Sequence, residues 1–501
     1  MKQGIRPFHI FLFLLAILGL LSVISIIFPQ NGIRLGKDFY LYFPDPGSIL
    51  KSDDPEYADI TDLLDAWTDK DDPPAYPVQD TVEGTTEEPV NDSLYEYNQV
   101  TIPTDEQELR KLVVPLEFPD SNDTVMYSFF RHLDKAGERG NLLRILHYGD
   151  SQIENNRISS TLRNRFQARF GGSGIGMFPV VSPVPHSASI QVQTSGRWER
   201  FTPLDRGSRN PGHNRYGLLM SFSSIAQPDG APDIRGTFSI RSTNYGSARS
   251  RNMNQLSIFF GNTNSPFLME LLRAGETIEA ELFFPSDSLR WIGMTLPESS
   301  GEYTVRINGE GSPEIYSVML DDTSGVAVDN IAMRGSSGLE FSETDERLLK
   351  RMLEVLNVRL VLLQFGVNVV PNIVDDYSYY ERALLRQLQF FKSVGPDLCI
   401  IVIGVSDMSR RIPGGQFESY PNIGLIRDAQ RNAAFGAGFP FWDLFAAMGG
   451  QNSMPSWVMA DPSLGQPDYI HFTFRGSALV GDLIYSAIAE EYNKYLDLQK
   501  Q

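Results

Sequence analysis

The chain reads as an α/β protein: a three-layer domain, with a parallel sheet and helices on both faces, interrupted by an all-β sandwich. Three observations carry this expectation. Short apolar runs alternate with helical patterns around residues 124–181 and again after 343, as βαβ units do. Between 182 and 325 the pattern changes to period-2 segments separated by Gly, Asn, Pro and Ser, which argues for a sandwich or jelly roll. At 501 residues and 42% hydrophobic content, the chain is long enough for two or three separate cores.

The N-terminal segment comes first. Lys2 and Arg6 precede a charge-free, largely apolar stretch from His9 to Phe28. About 20 such residues span a bilayer, whereas the core of a cleaved signal is usually shorter. No small-x-small cleavage site follows, and the basic flank favours the cytoplasmic side. A signal-anchor with the remainder outside is expected over 1–30; a cleaved signal is the alternative. Residues 31–110 read as an acidic, Pro-containing linker. Between Lys51 and Arg110 there are 18 Asp/Glu against three Lys/Arg, so most of the net charge of −19 lies there. Such a composition predicts a largely disordered tether; within it, Ile60–Trp67 has the pattern of a short helix, transient or partner-binding.

The catalytic-type pattern then opens. Thr124–Leu133 has helical spacing and leads into the apolar run Leu142–Tyr148, read as a strand delivering Gly149-Asp150-Ser151. A helix follows towards Arg169, ended by Phe170-Gly171-Gly172-Ser173-Gly174. That glycine run lacks the Lys-Ser/Thr of a phosphate loop. After the β-rich stretch, Val326–Met333 reads as a strand ending at Arg334-Gly335-Ser336. Helix 343–353 and the strand Val358–Phe365 follow, the strand ending at Gly366-Val367-Asn368. A helix around 379–388 leads to a strand through Cys399 that ends at Gly404-Val405-Ser406-Asp407. A helix over 423–434, an edge segment at Phe439–Leu444 (Pro440 confines it to an edge or strand start), the Asp468-Tyr469-Ile470-His471 loop and a C-terminal helix over 476–495 complete the pattern. Domains are expected at 1–30, 31–110, 111–181 and 326–501 (two parts of one α/β domain) and 182–325 (inserted sandwich).

A strand that places a serine in a tight turn, with an Asp-x-x-His far downstream, is the skeleton of a serine esterase: His471 as base, Asp468 orienting it, Ser151 as nucleophile. Each residue also has a bland reading. Ser151 is a fair helix N-cap. His471 is one of six histidines, and a satisfied core histidine is common. Gly335 and Asn368 are frequent strand-end residues. With Ser151, Gly335, Asn368 and His471 in order, the chain resembles the SGNH (GDSL-type) hydrolase superfamily. That resemblance implies a flavodoxin-like three-layer fold, an oxyanion hole from the Ser151 and Gly335 N–H groups and the Asn368 amide, and no cofactor. It covers roughly 110–180 and 330–495. The third block here is Gly-Val-Asn-Val, with Val369 where the family usually carries Asp. Several SGNH esterases that deacetylate peptidoglycan carry a β-domain in a similar place, and this chain looks like them.

Asp150 and Asp407, at strand ends, are expected near the pocket as structural or shaping residues. His147 is expected to pack under the strand. Trp198, Tyr216 and Trp291 are candidates to stack on sugar if exposed, against core packing as the plainer reading. The resemblance and the anchor together imply an O-acetylesterase acting on an envelope glycan, facing the periplasm or exterior. The alternatives are an O-acetyltransferase fed by a membrane-bound O-acyltransferase, and a non-catalytic glycan binder. No basic patch suggests nucleic-acid binding. No His/Cys cluster has metal-ligand spacing, and no metal is expected. Cys399, the single cysteine, is expected buried in its strand.

Overall fold

The computed structural model describes residues 7–27, 33–34, 40–41, 55–67, 113–119, 122–204, 210–227, 233–298 and 301–500. Five parallel strands build the central sheet: β1 (Leu142–Gly149), β2 (Gly325–Ala332), β3 (Val358–Gln364), β4 (Cys399–Ile403) and β5 (Phe441–Trp442). Their spatial order is β2-β1-β3-β4-β5, the doubly wound order of flavodoxin-like sheets. The strands are apolar on both faces because helices cover both. On one face Leu143, Ile145, Leu360 and Ile401 meet helices α3 (Tyr127–Leu133), α4 (Arg157–Phe170) and α9 (Phe474–Gln499). On the other, Leu146, Tyr148, Val361 and Ile400 meet α5 (Glu346–Val355), α6 (Ser378–Val394) and α7 (Ile423–Ala437). Cys399 is buried, and burial pushes its thiol up to about 12.

Two antiparallel sheets lie between β1 and β2 in sequence. One has the order 276–283, 267–273, 302–309, 234–242, 190–196; the other runs 290–295, 255–261, 314–321, 222–225, 198–201, and 174–178 adds to it beside 314–321. Their facing sides bury Phe238, Val305, Met269, Leu256, Ile258 and Val318 in a core of their own. Beyond its own core, the insert also packs against the α/β domain. Two residues of 314–321, which carries a register shift between Ile315 and Ser317, point the other way: Tyr316 and Met319 join Met352, Phe341 and Tyr148 in the core of the α/β domain. The insert's sheet also starts earlier than the composition change at 182, because Gly174–Phe178 pairs with Val318–Asp321.

Arg144 on β1 joins the two units. Its guanidinium, 2% exposed, binds Asp329 of β2 at 2.7 and 2.9 Å and also Asp321 at the end of the insert. Asp329 in turn accepts the Met177 N–H at 2.7 Å.

The N-terminal expectations fare differently. Pro7–Ile27 forms helix α1, 21 residues without a charged side chain. Among the described residues no helix is long and apolar enough to cross a membrane. The linker expected over 31–110 lies mostly outside the described residues. Of its described pieces, 55–67 carries a short helix α2 (Thr61–Ala66), but not a transient one on the surface. Ile60, Leu63 and Trp67 are buried in the α/β core beside Met454, Trp457 and Leu483.

Because Asp329 supports a buried cation, its removal leaves Arg144 short of a partner where water cannot replace it. Asp329→Ala is expected to lower the unfolding free energy by about 3–5 kcal/mol, as read from urea midpoints; a loss below about 1 kcal/mol, the value of an exposed pair, contradicts the bridging role.

Candidate active site

The sheet order reverses between β1 and β3, and ligands of open α/β sheets bind outside the carboxyl ends of the strands at such a point. Both strands end level: Gly149 pairs with Ala332 on one side and Gln364 on the other. Gly149 is required here by space, since a Cβ would lie 2.9 Å from the Gln364 carbonyl and 3.0 Å from Ile153. The chain then turns sharply. Asp150 accepts the Gln152 N–H at 3.0 Å, and a short 3₁₀ turn beginning at Ser151 runs into a kink at Glu154 and Asn155 before α4 begins. Ser151 is thereby held half-buried at the sheet's rim.

The Asp468–His471 loop meets it from the start of α9. Ser151 Oγ lies 2.8 Å from His471 Nε2, and His471 Nδ1 lies 2.7 Å from Asp468 Oδ2. The other Asp468 oxygen accepts the Ile470 and His471 N–H groups, each at 3.0 Å. Partial burial raises the Asp468 carboxyl, but the His471 ring and these N–H bonds outweigh it and hold the group down at about 2. Asp468 is therefore ionised at neutral pH, as an orienting acid must be. Tyr469 takes a left-handed φ of 58° and stacks on Phe417 with ring centroids 3.6 Å apart.

The two remaining members of the set come from the ends of β2 and β3. Met333–Ser336 forms a turn closed by the Ser336 N–H on the Met333 carbonyl at 3.0 Å, with Gly335 at φ 77°. Left-handed φ disfavours a side chain there. Asn368 is exposed, and one of its amide N–H bonds is held by the Ser336 carbonyl at 2.9 Å. The second N–H of a carboxamide stays available. Val369, the departure from the family pattern, is buried with Val367, Val370 and Tyr380, so the position normally polar is apolar core here.

The remaining candidates are structural. Asp407 is fully buried; its carboxylate accepts the Met408 and Met454 N–H groups at 2.9 and 2.7 Å. It caps the start of helix α8 (Ser453–Met459) instead of lining a pocket, which corrects the expectation drawn from its strand-end position. Asp150 is 1% exposed, again not a pocket wall. His147 is buried between Ser159 Oγ and Gln364 at 2.9 and 3.0 Å, and burial pushes it down to about 4. Trp198 is half-buried with its indole N–H on the Thr237 carbonyl, Tyr216 belongs to the core, and Trp291 alone of the three is exposed, flat against Phe259.

Three contacts escaped sequence reasoning. Gln152, next to the nucleophile, donates to the Ile470 carbonyl and to Ser406 Oγ at 2.9 and 2.8 Å, tying the two halves of the site. Glu154, buried three residues after Ser151, binds Arg334 through both oxygens at 2.5 and 2.6 Å. Beside that pair opens a pocket of about 210 Å³ between the α/β domain and the insert, with Pro183, Val184, His186 and Arg200 in its wall. No pattern in the chain announces these pairings; only their positions beside Ser151 and Gly335 hint at them.

Residues 299–479 match the GDSL-like Lipase/Acylhydrolase family. The match includes Gly335, Asn368, Asp468 and His471 and omits Ser151, which the insert separates from them. No curated protein matches by sequence. Among solved structures, a peptidoglycan O-acetylesterase is 19% identical and covers 73% of this chain and 96% of its own, with a TM-score of 0.57. A family two carbohydrate esterase from Cellvibrio japonicus is 9% identical over 61% of this chain and 99% of its own (TM-score 0.22). A salicylyl-acyltransferase from a tetracycline biosynthetic pathway is 14% identical over 62% and 97% (TM-score 0.27). The last two are too distant to bear on the site. The family match is confined to residues 299–479, and the likeness to the peptidoglycan O-acetylesterase is one of fold.

Burial pushes the Asp150 carboxyl up to about 7, against the Gln152 N–H and the His471 charge, which lower it. A free Asp ionises near 3.9, so the unfolded chain releases this proton first and wild-type stability falls as pH rises from about 4 to 7. Asp150→Asn lacks that loss. The stability of the variant relative to wild type is expected to grow between pH 4 and 7 and to level off above; a difference independent of pH in urea titrations contradicts it.

Proposed function

We propose that this SGNH-type enzyme removes O-acetyl groups from a cell-envelope glycan through an acyl-Ser151 intermediate. The observation that carries the reading is the hydrogen-bonded relay Ser151 Oγ–His471 Nε2, His471 Nδ1–Asp468 at the sheet's switch point. His471 removes the Ser151 proton as Oγ attacks the acetyl carbonyl. The oxyanion is held by the Ser151 and Gly335 N–H groups and the second Asn368 N–H. His471, now protonated and steadied by the Asp468 carboxylate, gives its proton to the leaving sugar oxygen. Water activated by the same imidazole then releases acetate.

A glycan as the alcohol is favoured by the surroundings. The pocket beside Arg334 and Glu154 adjoins the Ser151–Asn156 turn and the residue before Gly335, and is read as the place of the sugar bonded to the ester oxygen. A charged fork at its rim and proline and valine in its wall suit a polyhydroxylated ring, which presents hydroxyl edges and apolar faces. Likeness of fold to a peptidoglycan O-acetylesterase agrees with this. Residues 182–325 are read as the inserted unit that supplies the pocket's far wall. The location is proposed as the outer side of the cytoplasmic membrane, held by the charge-free segment near the N-terminus behind Lys2 and Arg6.

The direct test incubates the full chain in detergent with O-acetylated and unacetylated envelope oligosaccharides and an acetyl donor ester. Free acetate from the acetylated glycan, lost in Ser151→Ala, is expected. Serine-dependent transfer of acetyl to a sugar hydroxyl instead makes the enzyme a transferase and requires a membrane-bound O-acyltransferase to feed it. Neither product in the folded protein contradicts both.

Two variants refine the assignment. Asn368→Ala is expected to lower kcat by about 10²–10³ with little change in KM, the usual effect of one oxyanion donor; unchanged turnover removes Asn368 from the oxyanion hole. Arg334→Lys keeps the charge opposite Glu154 but loses the two-pronged geometry. It is expected to raise KM for the acetylated glycan several-fold more than KM for a small acetyl ester. An equal effect on both places the sugar elsewhere.

A further inference from the structure

The loop that carries Asp468 and His471 has little core of its own: the Asp468 side chain is 42% exposed and that of His471 26%. Yet its geometry must hold to a fraction of an ångström for the relay to work. Part of what holds it comes from residues 55–67, some 400 positions away, in the stretch whose composition reads as a tether.

The contacts run along two routes. In the first, the chain at 56–58 is bonded to Asn452 and Ser456: the Ala58 N–H donates to the Asn452 carbonyl at 3.3 Å, the Asn452 amide to the Glu56 carbonyl at 3.0 Å, and Ser456 Oγ to the Ala58 carbonyl at 2.7 Å. The same Asn452 side chain accepts the Ser419 N–H at 2.9 Å, and its backbone N–H donates to Ser419 Oγ at 2.7 Å. Ser419 ends the small hairpin Ser409–Arg411/Phe417–Ser419. That hairpin is what grips the catalytic loop: Phe417 stacks on Tyr469, and the Ser409 N–H donates to the Tyr469 carbonyl at 3.1 Å. In the second route, Trp67 is 5% exposed and donates its indole N–H to Asp482 at 3.0 Å. The other Asp482 oxygen binds Arg165 of α4, the helix behind Ser151, at 2.7 Å. The Arg475 guanidinium, four residues after His471, lies 5.1 Å from the centre of the Trp67 ring.

We infer that residues 55–67 are a positioning element of the active site, a clasp that braces the Asp468–His471 loop from behind through Asn452 and the 409–419 hairpin on one side and the start of α9 on the other. The segment touches no reacting atom. It sets where the catalytic base sits, and so the tether and the chemistry are coupled: whatever loosens 55–67 slows turnover. A fragment that begins after residue 67 lacks this support even though it contains every catalytic residue. The inference concerns the loop alone and does not rest on the identity of the glycan, because a small acetyl ester reads it out.

The test uses the full chain with Trp67→Ala, Leu63→Ala/Trp67→Ala and Trp67→Phe. Near-ultraviolet circular dichroism and thermal melts check that each is folded at the assay temperature. With a small acetyl ester, the alanine variants are expected to lose about tenfold to a hundredfold in kcat, the scale of an ångström-level misplacement. KM stays within about twofold, and Trp67→Phe recovers most of the rate. A folded double variant with wild-type kcat overturns the inference, as does an equal loss in the phenylalanine variant. Should the alanine variants not fold, native-state hydrogen exchange of the unaltered chain in low denaturant decides. Amides of 60–67 and those of Ile470 and His471 are expected to open in one shared step. Opening of 60–67 at lower denaturant, with the Ile470 and His471 amides still protected, overturns it.

Discussion

Everything at this site depends on β1 and β2 lying side by side in register although the whole insert separates them in sequence. The buried Arg144, bound to Asp329 across the strand pair and to Asp321 at the insert's return, is the interaction that enforces it. A guanidinium out of water tolerates only an arrangement that keeps both carboxylates in reach. With Asp329 opposite Leu146 and Ala332 opposite Gly149, the serine turn and the glycine turn emerge at one level. A slip of one residue reverses the facing of every side chain in a strand, and would carry Gly335 away from Ser151.

From that register the division of labour follows. Rigid strands end at Gly149, Ala332 and Gln364, and short turns present Ser151, Gly335 and Asn368. The acid and base arrive on a more exposed loop, which makes that loop the member that needs support. Gln152 bonds it from the nucleophile's side, the 409–419 hairpin from the other, and both contacts go to Tyr469 or Ile470, inside the Asp-x-x-His segment. The insert contributes differently: one of its sheets closes part of the α/β core, and its loops form the far wall of the pocket beside Arg334.

Much of this was legible in the chain. Apolar runs ending in Gly-Asp-Ser, Arg-Gly-Ser and Gly-Val-Asn marked the three strand ends, because buried parallel strands are continuous apolar segments and their turns need small or polar residues. The Asp-x-x-His spacing marked the loop, since three residues let one carboxylate reach both the ring and the backbone N–H groups. What stayed hidden is set by distance in sequence. Glu154 with Arg334 and Phe417 with Tyr469 are partners only once the sheet exists. Asp407 has the right position for a pocket residue, yet its own neighbour's N–H (Met408) and the Met454 N–H of α8 claim it. Ile60, Leu63 and Trp67 sit among so many acidic residues that composition outweighed three apolar side chains at helical spacing, and those three enter the core.

The central claim is that Ser151 forms the covalent intermediate. Rapid quenching of the full chain during turnover of an acetyl ester, followed by intact-mass measurement and peptide mapping, tests it most directly. One acetyl group per chain is expected, on the peptide containing Ser151, appearing before free acetate reaches its steady rate and absent from Ser151→Ala. Acetate release at an undiminished rate in Ser151→Ala, with no acetylated Ser151 peptide in the unaltered chain, contradicts it.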